Sequence, residues 1–145
     1  MMDLQFQFQV PEENKLMPLK ADELYDVMIL GAGPAGITAA IYAVRKGMKT
    51  ALVTQNIGGQ VLETYSIENY SGYRFIEGSQ LAKKFFEQIR QFPLFFKENV
   101  NATRIERDGR DFRISLTDGN AYKARAVIAA AGKSYRKLGV PGEKE

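Results

Sequence analysis

The chain has 145 residues, 45% of them hydrophobic, which is enough to bury one domain core and too little for two full ones. Its 20 Lys and Arg against 17 Asp and Glu leave a formal charge of +3, too small to argue for a nucleic acid or a membrane surface as partner. With no Cys and no His it offers no disulfide, no thiolate metal site and none of the commonest neutral-pH base, so any chemistry must come from a bound cofactor or from residues outside this chain.

Residues 4–10, LQFQFQV, alternate apolar and polar without a break, placing Leu4, Phe6, Phe8 and Val10 on one face of a half-buried strand. Breakers at Pro11 and Pro18 set this strand apart, in an arm of residues 1–24 ahead of the main fold. It suits either an edge strand of its own domain or a strand donated to a partner subunit, because an apolar ribbon on a loose tether pairs readily with an exposed edge.

Residues 25–44, YDVMILGAGPAGITAAIYAV, are the most informative stretch. The apolar run 26–30 has the length of a strand, and from Pro34 onward Ile37, Ala40, Ile41 and Val44 recur at the spacing of one helical face. Between strand and helix lies Gly31-x-Gly33-x-x-Gly36. The first glycine turns the chain tightly, the second lets backbone approach a pyrophosphate, and the third lets the helix pack closely on its strand. Pro34 at the first helical position gives up an amide that would otherwise be unpaired, and the remaining free amides and the helix dipole favour a phosphate. The stretch reads as a dinucleotide-binding turn.

Residues 49–53 (KTALV) read as a second parallel strand that completes a βαβ unit, and Arg45, Lys46 and Lys49 suit the negative end of the intervening helix. Residues 54–78 show neither helical nor strand period and read as a long functional loop. An amphipathic helix over 79–91 follows, through Leu81, Phe85, Phe86 and Ile89, and stops at Pro93; Leu94, Phe95 and Phe96 begin another buried strand. The crowd of phenylalanines reads as core packing and not as a membrane-inserting patch. From Thr103 the period falls to two, and strands near 103–107, 111–117 and 120–125, separated by Asp108-Gly109 and Asp118-Gly119, predict a three-stranded antiparallel meander. Its Arg104, Arg107, Arg110 and Arg113 are interleaved with Glu106, Asp108 and Asp111, which makes a solvated ribbon and not a phosphate-binding stripe. Residues 126–131, AVIAAA, read as a last buried strand ending at Gly132 beside the nucleotide. There is no apolar run of about 18 residues and no basic-then-apolar leader, so the expectation is a cytoplasmic protein with no membrane partner.

This order of elements resembles the FAD domain of the two-dinucleotide-fold flavoproteins. Within that group it is most similar to the thioredoxin reductase-like flavoproteins, bacterial thioredoxin reductase and the flavoprotein subunit of alkyl hydroperoxide reductase. The segments that carry the likeness are GAGPAGITAAIYAVRKGMKT, IGGQVLETYSIENYSGY, EGSQLAKKF and KARAVIAAAGKSYRKLGVPGE, spanning residues 25–143. The resemblance implies an α/β fold: a Rossmann-like, three-layer FAD-binding arrangement with a parallel sheet and an antiparallel β-meander. Residues 25–145 would be its N-terminal portion, incomplete as it stands.

By matching position, the resemblance implies that Gly31, Ala32, Gly33, Pro34, Ala35 and Gly36 wrap the FAD pyrophosphate. Thr54 and Gln55 would sit by the adenosine ribose, and Gly58, Gly59, Gln60, Thr64 and Asn69 would line the ribityl chain and flavin ring. Backbone near Ala102 would meet the adenine, and Ala130, Ala131 and Gly132 would close over the phosphates. Two departures stand out. Thr54 occupies the place where a ribose-binding acid is usual about 20 residues after the glycines, and the family's Ala-Thr-Gly appears as Ala130-Ala131-Gly132.

In the family, the chain after the VPGE segment enters an NADPH domain carrying a redox Cys-x-x-Cys. NADPH or NADH is therefore implied only through a domain outside these residues, and no catalytic residue is expected here. The implied reaction passes electrons from NAD(P)H through FAD to a disulfide protein of the thioredoxin type, in a homodimer. Two other readings remain: a ferredoxin- or flavodoxin-NADP reductase of the same architecture without redox cysteines, and a non-catalytic flavin-binding module.

Overall fold

Four consecutive apolar side chains, Val27 to Leu30, cannot all be buried on one face of a strand, so they require cover on both. In the computed structural model, which describes residues 16–133 and 139–140, the strand that contains them lies inside a six-stranded sheet. This strand is β1 (Leu24–Ala32), followed by α1 (Pro34–Arg45) and β2 (Thr50–Ile57). A 3₁₀ turn (Gly59–Glu63), α2 (Gly78–Ile89) and β3 (Phe95–Lys97) come next. The chain then builds β4 (Ala102–Asp108), β5 (Asp111–Leu116) and β6 (Ala121–Ala129). The sheet order is β3-β2-β1-β6-β5-β4. β3, β2, β1 and β6 run parallel, whereas β6, β5 and β4 form the antiparallel meander.

The predicted layers are present. On one face of the sheet Val27, Ile29 and Leu52 meet Ile37 and Ala40 of α1 and Leu81, Phe85 and Ile89 of α2. On the other face Met28, Leu30, Ala51 and Val53 meet Ile114, Leu116 and Tyr122 of the meander. The buried face of α1 is centred on Gly36, Ile37, Ala40 and Ala43, while Ile41 and Val44 are only half-buried. Among the described residues no helix is long and apolar enough to cross a membrane.

The expected strand at 4–10 lies outside the described residues. Just after it, Met17 bridges to Phe95 beside β3, and Leu16, Met17 and Leu19 pack against the two halves of the core. Tyr25 is fully buried with its phenol accepting from the Lys20 amide (2.8 Å) and its ring edge-on to Phe95 at 5.1 Å. Burial pushes its phenol pKa up, so this anchor stays neutral.

Four sequence expectations change. The strands placed at 120–125 and 126–131 are one strand, β6, whose first residues pair antiparallel with β5 while its length pairs parallel with β1. No turn residue separates Arg125 from Ala126. Nor is its second half buried: Ala126 and Ile128, which share the face of Val27 and Ile29, are exposed because α1 lies mainly over β1 and β2 and leaves this face of β6 largely open among the described residues. Ala129, on the opposite face, is exposed where it lines the cavity described below. The long loop at 54–78 is shorter than expected, since β2 continues to Ile57, the 3₁₀ turn follows, and Ile67 and Ile76 pair across the remainder. Finally, Lys49 does not serve the end of α1. Its ammonium pairs with Glu23, and its amide donates to Asp26 (2.8 Å).

One ion pair ties β3, at the parallel edge of the sheet, to the meander. The Lys97 ammonium on β3 lies 2.6 Å from the Asp118 carboxylate in the β5–β6 turn, and the Asn120 side-chain and backbone amides donate to the same carboxylate. Lys97, with these amides, holds the Asp118 pKa down at about 2. A depressed carboxyl stabilises the fold above its unfolded pKa of about 3.9 and loses that contribution as pH falls toward the folded value. The urea midpoint of Asp118→Asn should therefore lie below that of the parent at neutral pH and converge on it between about pH 4 and pH 2. A gap that stays constant across this range would show that the charge of Asp118 contributes nothing.

Candidate dinucleotide site

The carboxyl ends of the parallel strands and the N-terminus of α1 open on a common cavity of about 910 Å³. Its floor is the glycine turn. Gly31 has φ +104°, and a Cβ there would stand 2.4 Å from the Ala130 carbonyl oxygen. A Cβ on Gly36 would stand 1.8 Å from the Gly31 carbonyl oxygen. Both positions are glycine because of the protein itself.

Gly33 is different. Its φ of −74° and ψ of −179° suit any residue, and a Cβ there would find its nearest atom, the Gly58 carbonyl oxygen, at 3.9 Å. Nothing in the chain demands glycine at this point, but an approaching ligand would.

The end of α1 is prepared for an anion. Gly33 caps it without a side chain, Pro34 opens it, and its first turn carries no acid. The first intrahelical bond runs from the Ile37 amide to the Gly33 carbonyl at 3.0 Å, so the amides of Ala35 and Gly36 have no protein acceptor among the described residues. The residues fit a pyrophosphate, which needs small side chains, free amides and a positive dipole.

Of the residues singled out in the sequence, Gly31, Ala32, Gly33, Pro34 and Ala35 line the cavity. So do Thr54, Gln55, Gly59 and Gln60 from the β2 side, Ala102 from β4, and Ala130, Ala131 and Gly132 beyond β6. Gly36 lies behind the turn. Gly58, with φ +95°, packs against α2, where a Cβ would meet that of Ala82 at 2.6 Å. Thr64 and Asn69 line a second, shallower cavity of about 560 Å³ with Ser66, Ile67, Glu68 and Tyr70, and the two cavities share Val61.

Two of the lining residues make contacts of their own. The Gln60 side-chain amide donates to the Lys133 carbonyl at 3.0 Å, joining the 3₁₀ turn to the segment after β6 and leaving its carbonyl oxygen for other donors. The Thr54 hydroxyl accepts from the Ala32 amide at 3.1 Å and donates to the Asn56 carbonyl at 2.6 Å.

Sequence reasoning missed Asn56, Asn101 and Arg104, which also line the cavity. Asn101 donates through its side-chain amide to Gln55 at 2.9 Å, linking β2 to the turn before β4. The Arg104 guanidinium, 2.9 Å from Glu106, is one of the meander arginines assigned to the solvated ribbon, yet it also borders the cavity. A single side chain at a strand end has no periodicity to betray it. The one local signal was the run Glu98-Asn99-Val100-Asn101, a turn composition in which Asn99 does take a positive φ of 62°.

The sequence model of the family described as "Pyridine nucleotide-disulphide oxidoreductase" matches residues 25–145. Thioredoxin reductase of Bacillus subtilis is 42% identical over 128 residues, covering 88% of this chain and 40% of that protein. NADH dehydrogenase of the same species is 39% identical over 123 residues, 85% of this chain and 24% of its own length. An alkyl hydroperoxide reductase subunit of Pseudomonas aeruginosa is 37% identical over 130 residues, 88% of this chain and 25% of that protein. Among solved structures, Lactococcus lactis thioredoxin reductase in its FR conformation superposes with a TM-score of 0.77 at 40% identity, over 83% of this chain and 39% of that one. The chain thus spans at most about two fifths of the length of these relatives. The glycine turn, the three layers and the matched residues together make this chain a member of the pyridine nucleotide-disulphide oxidoreductase family.

Proposed function

We propose that this chain is the FAD-binding portion of a thioredoxin reductase-like flavoenzyme that moves electrons from NADPH or NADH to a disulfide protein. Residues 25–145 would form the N-terminal portion of the FAD domain, with residues 1–24 an arm ahead of it. The observation that carries the reading is Gly33, a glycine its own protein does not require, set at an uncapped helix end that faces a large cavity. The relatives bear the names of different oxidoreductases, yet all share this portion. What they share is best explained as the holding of the common cofactor.

In this reading the amides at the start of α1 hold the pyrophosphate, and Gly33 admits it. Gln55 and the backbone near Ala102 receive the adenosine, while Gly59, Gln60 and the segment Ala130 to Gly132 close the opposite side. Thr64 and Asn69 would extend the wall toward the flavin through the adjoining cavity. The redox chemistry would be supplied by the bound isoalloxazine ring; the chain's part is binding, orientation and exclusion of water. The nicotinamide nucleotide, the redox cysteines and the thioredoxin-like partner would engage other parts of a cytoplasmic homodimer.

The test is to purify the full-length protein, release its chromophore and identify it, then titrate with NADPH and NADH in the presence of a disulfide substrate. Released FAD, bleaching by a nicotinamide nucleotide and disulfide turnover are expected. Bleaching without disulfide turnover would move the assignment to a ferredoxin-type reductase. Failure of the apo protein to take up FAD would remove the proposal altogether.

A further inference from the structure

Between Leu30 and Ala32 β1 advances two residues, while its partner β2 advances four, from Val53 to Ile57. β2 therefore carries a bulge at the edge of the cavity, and Gln55 and Asn56 are exposed on it. A bulge re-aims side chains but breaks the ladder, so the groups it releases need other partners. Thr54, only 5% exposed, supplies them.

Its hydroxyl has one proton and two lone pairs to offer. It accepts a hydrogen bond from the amide of Ala32, the middle residue of the first Gly-x-Gly, and donates one to the Asn56 carbonyl. Its carbonyl accepts from the Val100 amide at 3.1 Å, which brings in the turn before β4. The Ala32 carbonyl in turn accepts from the Gly58 amide at 2.8 Å. A single buried hydroxyl thus sits between the phosphate turn, the bulge and the start of the Gly58-Gly59 segment.

We infer that Thr54 is a positioning residue: its hydroxyl holds the β2 bulge against the glycine turn and so sets the geometry of the dinucleotide cradle. The inference rests on the FAD-binding reading for its ligand but not for its structural content. An acid at this place reads the ribose in many dinucleotide folds. Here the side chain is committed to backbone, and the neighbouring Gln55, held by Asn101, faces the cavity instead.

The experiment compares Thr54→Val, which keeps the shape and removes the hydroxyl, with Thr54→Ser, which keeps the hydroxyl, both in the full chain. Amide hydrogen exchange is read in the apo protein, and FAD and ADP affinities are read well below the melting temperature. In Thr54→Val the Ala32 and Gly58 amides should exchange about 10-fold faster or more, while α2 is unchanged. The same variant should lose about 10-fold in affinity for both FAD and ADP. Thr54→Ser should restore exchange and affinity to within about 3-fold of the parent.

Lost affinity with unchanged exchange would mean that the hydroxyl meets the ligand directly, and the positioning role would be wrong. Equal losses in the two variants would assign the effect to the γ-methyl group and overturn it as well. Faster exchange with unaltered affinity would leave a purely structural bond and refute the claim on the cradle. If the parent itself takes up neither FAD nor ADP, the flavin reading has failed, while the exchange comparison still decides whether the hydroxyl holds the bulge.

Discussion

Gly33→Ala is expected to keep its fold and to lose its cofactor. The added Cβ has 3.9 Å to the nearest protein atom and a backbone conformation that alanine adopts freely. Its effect on stability should stay within about 1 kcal/mol, the gain from a stiffer unfolded chain roughly offsetting the weaker helix cap. The space the methyl group enters is the space a pyrophosphate must share with the amides of Ala35 and Gly36. Losing close approach to charge-bearing oxygens should weaken FAD binding by about 100-fold, or about 2.7 kcal/mol. The check is a pair of measurements on the same sample: a urea midpoint without ligand and a fluorescence titration with FAD. An unchanged affinity would mean that the ligand does not come near Gly33, and the assignment of the cavity would have to move.

Gly36→Ala should behave in the opposite way. Here the new Cβ would stand 1.8 Å from the Gly31 carbonyl oxygen and 2.9 Å from its carbon, and both belong to backbone. No side chain can rotate away, so either α1 lifts from the sheet or the glycine turn opens. Overpacking ordinarily costs about 1–3 kcal/mol, and a clash of backbone with backbone belongs at or beyond the top of that range. Against a total stability of about 5–15 kcal/mol for a domain, the variant should lose a large part of its cooperative unfolding transition. Excess FAD should not restore it, because the geometry that would bind FAD is the geometry that is lost. A variant that unfolds at the urea midpoint of the parent would contradict the packing described for this turn. On the proposed reading, two glycines three residues apart would be required for unrelated reasons, one by a ligand and the other by the chain.

The parts of the fold that were legible in the sequence are those whose signal is local. The glycine turn with Pro34 declares its strand and helix within about 20 residues of a βαβ unit of about 30. Leu81, Phe85 and Ile89 face the core of α2 as their spacing predicts, and Asp108-Gly109 and Asp118-Gly119 fall at the two turns of the meander. What failed depends on neighbours far along the chain. β6 was divided because its pattern changes from alternating to continuous near Arg125, and only its pairing with β5 and with β1 shows that one strand has two environments. The end of β2 read as loop because Thr54, Gln55 and Asn56 are polar. They are polar because a bulge turns them toward a cavity and toward backbone, and a two-residue period does not encode that. Within the site, the small residues were found because steric demand leaves a compositional mark. Asn101 was not, since its value lies in one hydrogen bond to Gln55 across 46 positions.

The pairing of β1 with β6 has a kinetic side. Asp26 on β1 and Arg125 on β6, 99 positions apart in the chain, meet at 2.6 Å, and the cavity lies where these two strands end together. The meander hairpins and the α1 crossover close over short stretches of chain, whereas the wall formed by Ala130 and Ala131 reaches the glycine turn only when the longest loop closes. Contacts this distant slow folding. The entropy of closing a flexible loop, however, rises only with the logarithm of its length, by about 0.6 kcal/mol for each doubling. Separation along the chain therefore weighs on how soon the two walls meet, and little on how firmly they hold once they have met.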